Sequence, residues 1–238
     1  MRRQRKEDFI NDKRRVSYLH AVYNRIYRDQ SVLIEGDYGV GKTRFLELIK
    51  PKKRKIVWVE SLNNIHEILA SILQQLDYEA PPAWRRTSKH LKMIKALSGF
   101  IIIIDEAGDL NPKVWPYFKR IIDADIPIIF AGLPKVRTFL INEHPDIVSR
   151  LKVLMLYPIV VEDFIMDYKD FVPQAVEQIY ATTAGDMRKF KEVCADCRDK
   201  AKELKLNIID VELVLSFIED LLKSRTIGEK REDISSSS

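Results

Sequence analysis

The stretch EGDYGVGKT, residues 35–43, decides how the rest of the chain is read. It places Gly36 five positions ahead of Gly41, follows that glycine with Lys42 and Thr43, and stands directly behind the apolar run SVLI at 31–34. Glycines in such a loop let backbone N–H groups turn toward phosphates without steric penalty, and a following helix adds its positive amino-terminal end. The spacing fits a phosphate-binding loop, or P-loop. The cradle is then Gly36, Asp37, Tyr38, Gly39, Val40, Gly41, Lys42, Thr43 and Arg44; Lys42 reaches the β- and γ-phosphates, and the Thr43 hydroxyl ligates Mg²⁺. The competing reading is a glycine-rich turn that fits by chance. A metal-supporting carboxylate elsewhere in the chain separates the two.

The run FIIIIDEA, residues 100–107, supplies that carboxylate. Five apolar residues make a buried strand that ends in Asp105 and Glu106, and ligands of open α/β sheets bind at the carboxyl ends of strands. Asp105 is placed to hold the Mg²⁺ hydration shell and Glu106 to polarise an attacking water. The two motifs together predict a site for ATP with Mg²⁺.

Around them the pattern alternates. SVLIE is followed by a helix over 42–49, KIVWVE (55–60) by a helix over 63–76, and the run at 100–105 by a helix over 113–122. IPIIFAG (126–132), a helix over 134–142 and KVLMLY (152–157) complete the series. Five β-rich runs separated by helices predict an α/β fold, a five-stranded parallel P-loop sheet with helices on both faces. An amphipathic helix over 8–28 leads in, with Val16, Leu19, Tyr23 and Ile26 as its apolar stripe and Arg14 and Arg15 among its bases. After Pro158 the strand signals stop and helical segments follow, the clearest from Met187 to Leu204. The expected domains are a nucleotide-binding α/β domain over 1–158, a small all-helical lid over 159–224 and a disordered tail over 225–238. The segment EAPPAWRRTSKHLK (79–92) interrupts the alternation; it reads as a DNA-contacting insertion or as a long loop on which Trp84 packs, the loop being preferred.

Charge is unevenly spread. Residues 1–60 hold 16 Lys or Arg against 8 Asp or Glu, so with a net charge of +5 overall the other 178 residues carry −3. Such clustering suits a polyanion as partner, although a solvated surface explains any single cluster as well, KPKKRK at 50–55 included. No apolar run approaches the roughly 18 residues that cross a bilayer, and MRRQRKEDF lacks the apolar segment of a secretory signal; the expectation is a cytoplasmic protein without a membrane partner. Cys194 and Cys197 form a lone C-x-x-C on the stripe Phe190, Cys194, Cys197, Ala201, Leu204, which reads as core packing rather than a metal or redox site. The four histidines are scattered.

These motifs resemble the AAA+ ATPases, and within them the group of origin-recognition ATPases and transposition regulators of the MuB, TniB and TnsC type. The resemblance runs over about 16–222 and rests on GDYGVGKT, IIIIDEAGDL, IPIIFAGLPKVRTFL, HPDIVSRL and TTAGDMRKF. It implies that Arg150 is an arginine finger entering a neighbouring subunit's site, so that the protein acts as a homo-oligomer, and that Arg188 is a lid residue directed at the γ-phosphate. From the residues alone Arg150 reads first as a surface ion pair, an order that the resemblance reverses, and Gly185–Asp186 also reads as a helix cap, which is compatible with the lid role. One position departs: Leu133 stands where the family carries a polar sensor, which predicts slow hydrolysis unless Asn111 or another polar group substitutes. The expected function is a slow ATPase switch that assembles on double-stranded DNA and recruits a partner such as a transposase. The rivals are a replication initiator or helicase loader, and a nucleotide-gated scaffold without DNA binding. No helix-turn-helix or zinc-finger pattern is visible, so sequence-specific base reading is not expected.

Overall fold

The computed structural model describes residues 13–59, 64–79 and 87–219. They form two compact units, one ending at Tyr157 and the other beginning at Pro158. Trp84, the tail over 225–238 and the first residues of the helix expected over 8–28 lie outside the described residues.

The first unit alternates helix and strand. In order come α1 (Lys13–Ile26), β1 (Ser31–Glu35), α2 (Lys42–Glu47), β2 (Lys55–Val59), α3 (Ile65–Gln75), α4 (Thr87–Lys95), β3 (Phe100–Ile104), α5 (Trp115–Ile122), β4 (Ile128–Gly132), α6 (Pro134–Glu143), α7 (Pro145–Val148) and β5 (Leu151–Met155). The five strands make one sheet in the order β2-β3-β4-β1-β5, every pairing parallel. Parallel strands are covered on both faces, which is why these segments read as unbroken apolar runs. Leu33, Ile102, Ile104 and Phe130 point toward α3–α6, whereas Val32, Ile34, Ile101, Ile103 and Ile129 point toward α1 and α2. Each fully buried isoleucine contributes about 1.5–3 kcal/mol, so β3 alone anchors the acids that follow it.

Two expectations are corrected here. The loop preferred for 79–92 does not extend over its second half: Thr87–Lys95 is helical, because His90, Leu91 and Ile94 fall on one face and bury it against the core. In α1 the buried stripe is not led by Val16, which is exposed; Arg15, Val22 and Ile26 are fully buried instead.

The second unit contains two short 3₁₀ turns, α8 (Pro173–Thr182), α9 (Met187–Glu203) and a helix over 211–219. Phe164, Phe171, Ile179, Phe190, Cys194, Cys197 and Ala201 build its core, but Leu204, expected on the same stripe, is 52% exposed because α9 ends one residue earlier. Burial pushes the Cys194 thiol up to about 12 and the Cys197 thiol up to about 11, so both stay protonated. Arg198 grips Asp170 with two hydrogen bonds, of 2.5 and 3.1 Å, while lying over the Phe171 ring.

Candidate functional site

The loop after β1 turns sharply enough to need glycine: Gly39 and Gly41 hold φ of 74° and 89°, in the left-handed region that L side chains avoid. Gly36 is required for a different reason, since a Cβ there would stand 2.7 Å from the Leu156 carbonyl oxygen and 2.7 Å from a Val40 methyl. Beyond Gly41 the chain enters α2, whose Phe45 and Leu46 are buried beneath the sheet and pin the loop to it. Lys42, 6% exposed, donates to the carbonyls of Gly36 and Asp37 at 3.0 Å each, so its ammonium is curled inside the loop. Asp37 and Tyr38 lie on the rim, the Tyr38 ring 5.9 Å from the Lys42 ammonium. Arg44 is turned away, in an exposed pair with Glu47 at 2.7 Å.

The sheet order joins this loop to β3. Thr43 Oγ1 donates to Asp105 Oδ2 at 2.5 Å, and Asp105 Oδ1 accepts from the Glu106 N–H at 2.9 Å. A hydroxyl and a carboxylate one hydrogen bond apart form a hard oxygen pair, the donor chemistry that suits Mg²⁺ with water and phosphate as its remaining ligands. Glu106 sits at φ 49°, ψ 48°, a left-handed conformation that costs a non-glycine residue about 1–2 kcal/mol. That strain turns the chain out of the strand and leaves the Glu106 side chain exposed. Four expected residues, Lys42, Thr43, Asp105 and Glu106, thus stand on adjoining loops at the carboxyl end of the sheet.

Arg150 does not join them. It precedes β5, whose first residue Leu151 pairs with Ser31 at the start of β1. A five-residue strand rising about 3.3 Å per residue puts Arg150 about 16 Å along the sheet from the carboxyl end. It donates to Asp123 Oδ1 at 2.6 Å and to the Asp146 carbonyl at 2.5 Å while remaining 39% exposed, a surface arrangement that contributes about 0–1 kcal/mol. Asp146 also pairs with Lys119, whose hydrogen bond holds that carboxyl below its ordinary value. Arg188 lies in the first turn of α9, where the Asp186 side chain caps the helix by accepting from the Arg188 and Lys189 N–H groups at 2.9 and 3.3 Å. Leu133 follows β4 directly, an extended, half-buried residue that leads into α6. The Asn111 side-chain oxygen accepts from the Lys113 N–H.

Two residues escaped the sequence reading. Glu35, the last residue of β1, is buried with Oε1 unpartnered and Oε2 3.9 Å from Arg137; burial raises its pKa, which Arg137 partly opposes. Arg15 is 1% exposed and reaches the loop backbone at the Val40 carbonyl. A signal for Arg15 existed, since it stands seven and eleven positions before Val22 and Ile26, on one helical face.

No protein-family model and no curated protein matches the chain. Solved structures do. It is similar to the Drosophila ORC structure bound to DNA, at 13% identity and a TM-score of 0.68, over 90% of this chain and 61% of that one. It is similar to the Aeropyrum pernix ORC1 protein in complex with DNA, at 17% identity and a TM-score of 0.67, over 87% of this chain and 65% of that one. The Thermotoga maritima RuvB Holliday junction branch migration motor is similar at 21% identity and a TM-score of 0.57, over 89% of this chain and 68% of that one. The chain spans less than two thirds of the length of the first two. At these identities the likeness is one of fold, and together with the sheet order it makes this chain a five-stranded parallel α/β fold of the P-loop type, shared with the ORC and RuvB structures.

Proposed function

We propose that the chain is an ATP-driven switch that binds ATP with Mg²⁺, hydrolyses it slowly, and assembles on duplex DNA to engage a protein partner. The observation that carries the reading is the bond between Thr43 and Asp105, which joins the glycine loop to the acid of the central strand. Thr43 and Asp105 would hold Mg²⁺, which when bound neutralises charge on the phosphates. Lys42 exchanges its loop carbonyls for phosphate oxygens. Glu106 orients and polarises the attacking water, accepting its proton. Leu133 offers that water no hydrogen bond, hence slow turnover. Arg150, too far along the sheet to serve its own site, is proposed to act on a neighbouring copy, and its weak surface pairs make it cheap to redirect. The unit ending at Tyr157 is read as the nucleotide-binding domain and the helical unit as its lid, with Arg188 the lid residue that answers to the γ-phosphate.

The DNA part rests on the basic amino-terminal quarter, where Lys50, Lys52 and Lys53 are exposed, and on the ORC relatives being solved with DNA. The motif resemblance favours a transposase as partner. Calorimetric titration of Mg·ATP into wild-type protein and Lys42→Ala is the primary test: heat with the first and none with the second is expected, and no heat with wild type ends the reading. Duplex affinity measured with ATP across salt concentrations tests the second part, a steep linear fall of log affinity with log salt being expected. A helicase recovered in place of a transposase would move the protein to replication. Absence of duplex binding at low salt would leave a nucleotide-gated scaffold.

A further inference from the structure

We propose that Arg15 is a positioning residue of the nucleotide site, tying the phosphate loop to the point where the chain leaves the sheet, and so coupling nucleotide uptake to the junction at Tyr157–Pro158. A single nitrogen, Arg15 Nη2, donates to the Val40 carbonyl at 2.7 Å and to the Tyr157 carbonyl at 2.6 Å. Burying a guanidinium is costly unless hydrogen bonds hold it, and this one is 1% exposed. It therefore constrains both carbonyls.

The first constraint acts on the loop. In a planar trans peptide the C=O and the next N–H point in opposite directions, so fixing the Val40 carbonyl on Arg15 also fixes the Gly41 N–H on the other side. Backbone N–H groups are what such a loop offers to phosphate, and Arg15 sets the aim of one of them. The second constraint acts on the exit from β5. There the Leu156 N–H donates to the Glu35 carbonyl at 2.6 Å, and Gly36 is pressed against the Leu156 carbonyl. The pair Leu156–Tyr157 thus touches the loop base through Gly36 and its far side through Arg15. Because Pro158 follows, Tyr157 has few backbone conformations available, and a displacement of its carbonyl is passed on rather than absorbed.

The inference rests on the ATP reading, and the test separates the two. Hydrogen exchange is followed over 36–44 and 155–162 with and without Mg·ATP, beside calorimetric affinity, for wild type, Arg15→Met and Arg15→Lys. In wild type, ATP is expected to slow exchange in both segments. Arg15→Met should bind ATP roughly tenfold more weakly and, at saturation, protect 36–44 without protecting 155–162. Arg15→Lys, which keeps one nitrogen able to donate to both carbonyls, should restore both responses. Should Arg15→Met not fold, Arg15→Gln, too short for both contacts, carries the same expectation. A coupled response at 155–162 in Arg15→Met overturns the inference, as does equal impairment of the Met and Lys variants with a matching loss of thermal stability. Wild-type protein that takes up no ATP overturns the nucleotide reading and this inference with it.

Discussion

Replacing Gly36 by alanine separates the steric requirement of the loop from its conformational one. Gly36 lies outside the left-handed region, so the backbone tolerates alanine; the new methyl group is the whole perturbation. It would meet the Leu156 carbonyl oxygen and a Val40 methyl at 2.7 Å, where ordinary contact begins at 3.4 Å, so the loop and the β5 exit must part by about 0.7 Å. Overpacking of this kind costs about 1–3 kcal/mol, which lowers the melting temperature by about 2–12 °C for a chain of this size. The same displacement moves the carbonyl that holds Lys42, and a shift approaching 1 Å in a binding constellation weakens it by roughly ten- to a hundredfold. Differential scanning calorimetry and ATP titration read the two effects. Gly99→Ala is the control: its φ of 78° strains any side chain, yet nothing lies within 4 Å, so it should destabilise by about 1–2 kcal/mol and leave ATP affinity alone. Gly36→Ala with wild-type stability and affinity would refute the close packing of loop against β5 exit from which the effect is reasoned.

Three further outcomes are expected. Glu106→Gln should retain ATP binding while turnover falls by about 10²–10⁴, measured as phosphate release from saturated protein. The thiols of Cys194 and Cys197 should resist a thiol reagent at pH 9 in the folded protein and react after unfolding. Because their folded values are raised above the ordinary 9.0, the stability they contribute is complete below pH 9 and is lost as pH climbs toward about 11–12. Glu35 follows the same sign from a lower start: its raised folded value makes ionisation unfavourable, so its contribution is present below the ordinary glutamate value and lost above the folded one. Glu35→Gln should therefore melt higher than wild type at neutral pH, the gain vanishing in acid.

The relation between sequence and structure differs from element to element. IIII at 101–104 could only be a strand buried on both faces, since its apolar residues outnumber what one face needs, and the structure buries all four. The turn at Gly39 and Gly41 was legible as a local pattern, and so was the acid pair at a strand end, whereas their meeting needed two segments 62 residues apart to be brought together. Helix α4 was obscured by the prolines and bases ahead of it and by its short buried face, which has only Leu91 and Ile94 as apolar residues beside the buried His90. Leu204 was misjudged because periodicity continues on paper past the residue at which α9 stops.

The chain order of residues thus determined the fold class and the positions of the glycine loop and of the acid pair that ends β3, because short-range spacing dictates which backbone groups turn and which side chains share a face. Tertiary structure alone decided the fate of the charges. By sequence alone Arg15 and Glu35 read as solvated charges, and Arg150 as either a surface ion pair or a finger for a neighbouring copy. Whether a charge is solvated, buried against a carbonyl or stranded at the far edge of a sheet depends on segments up to 142 residues away, brought alongside only when the strands pair.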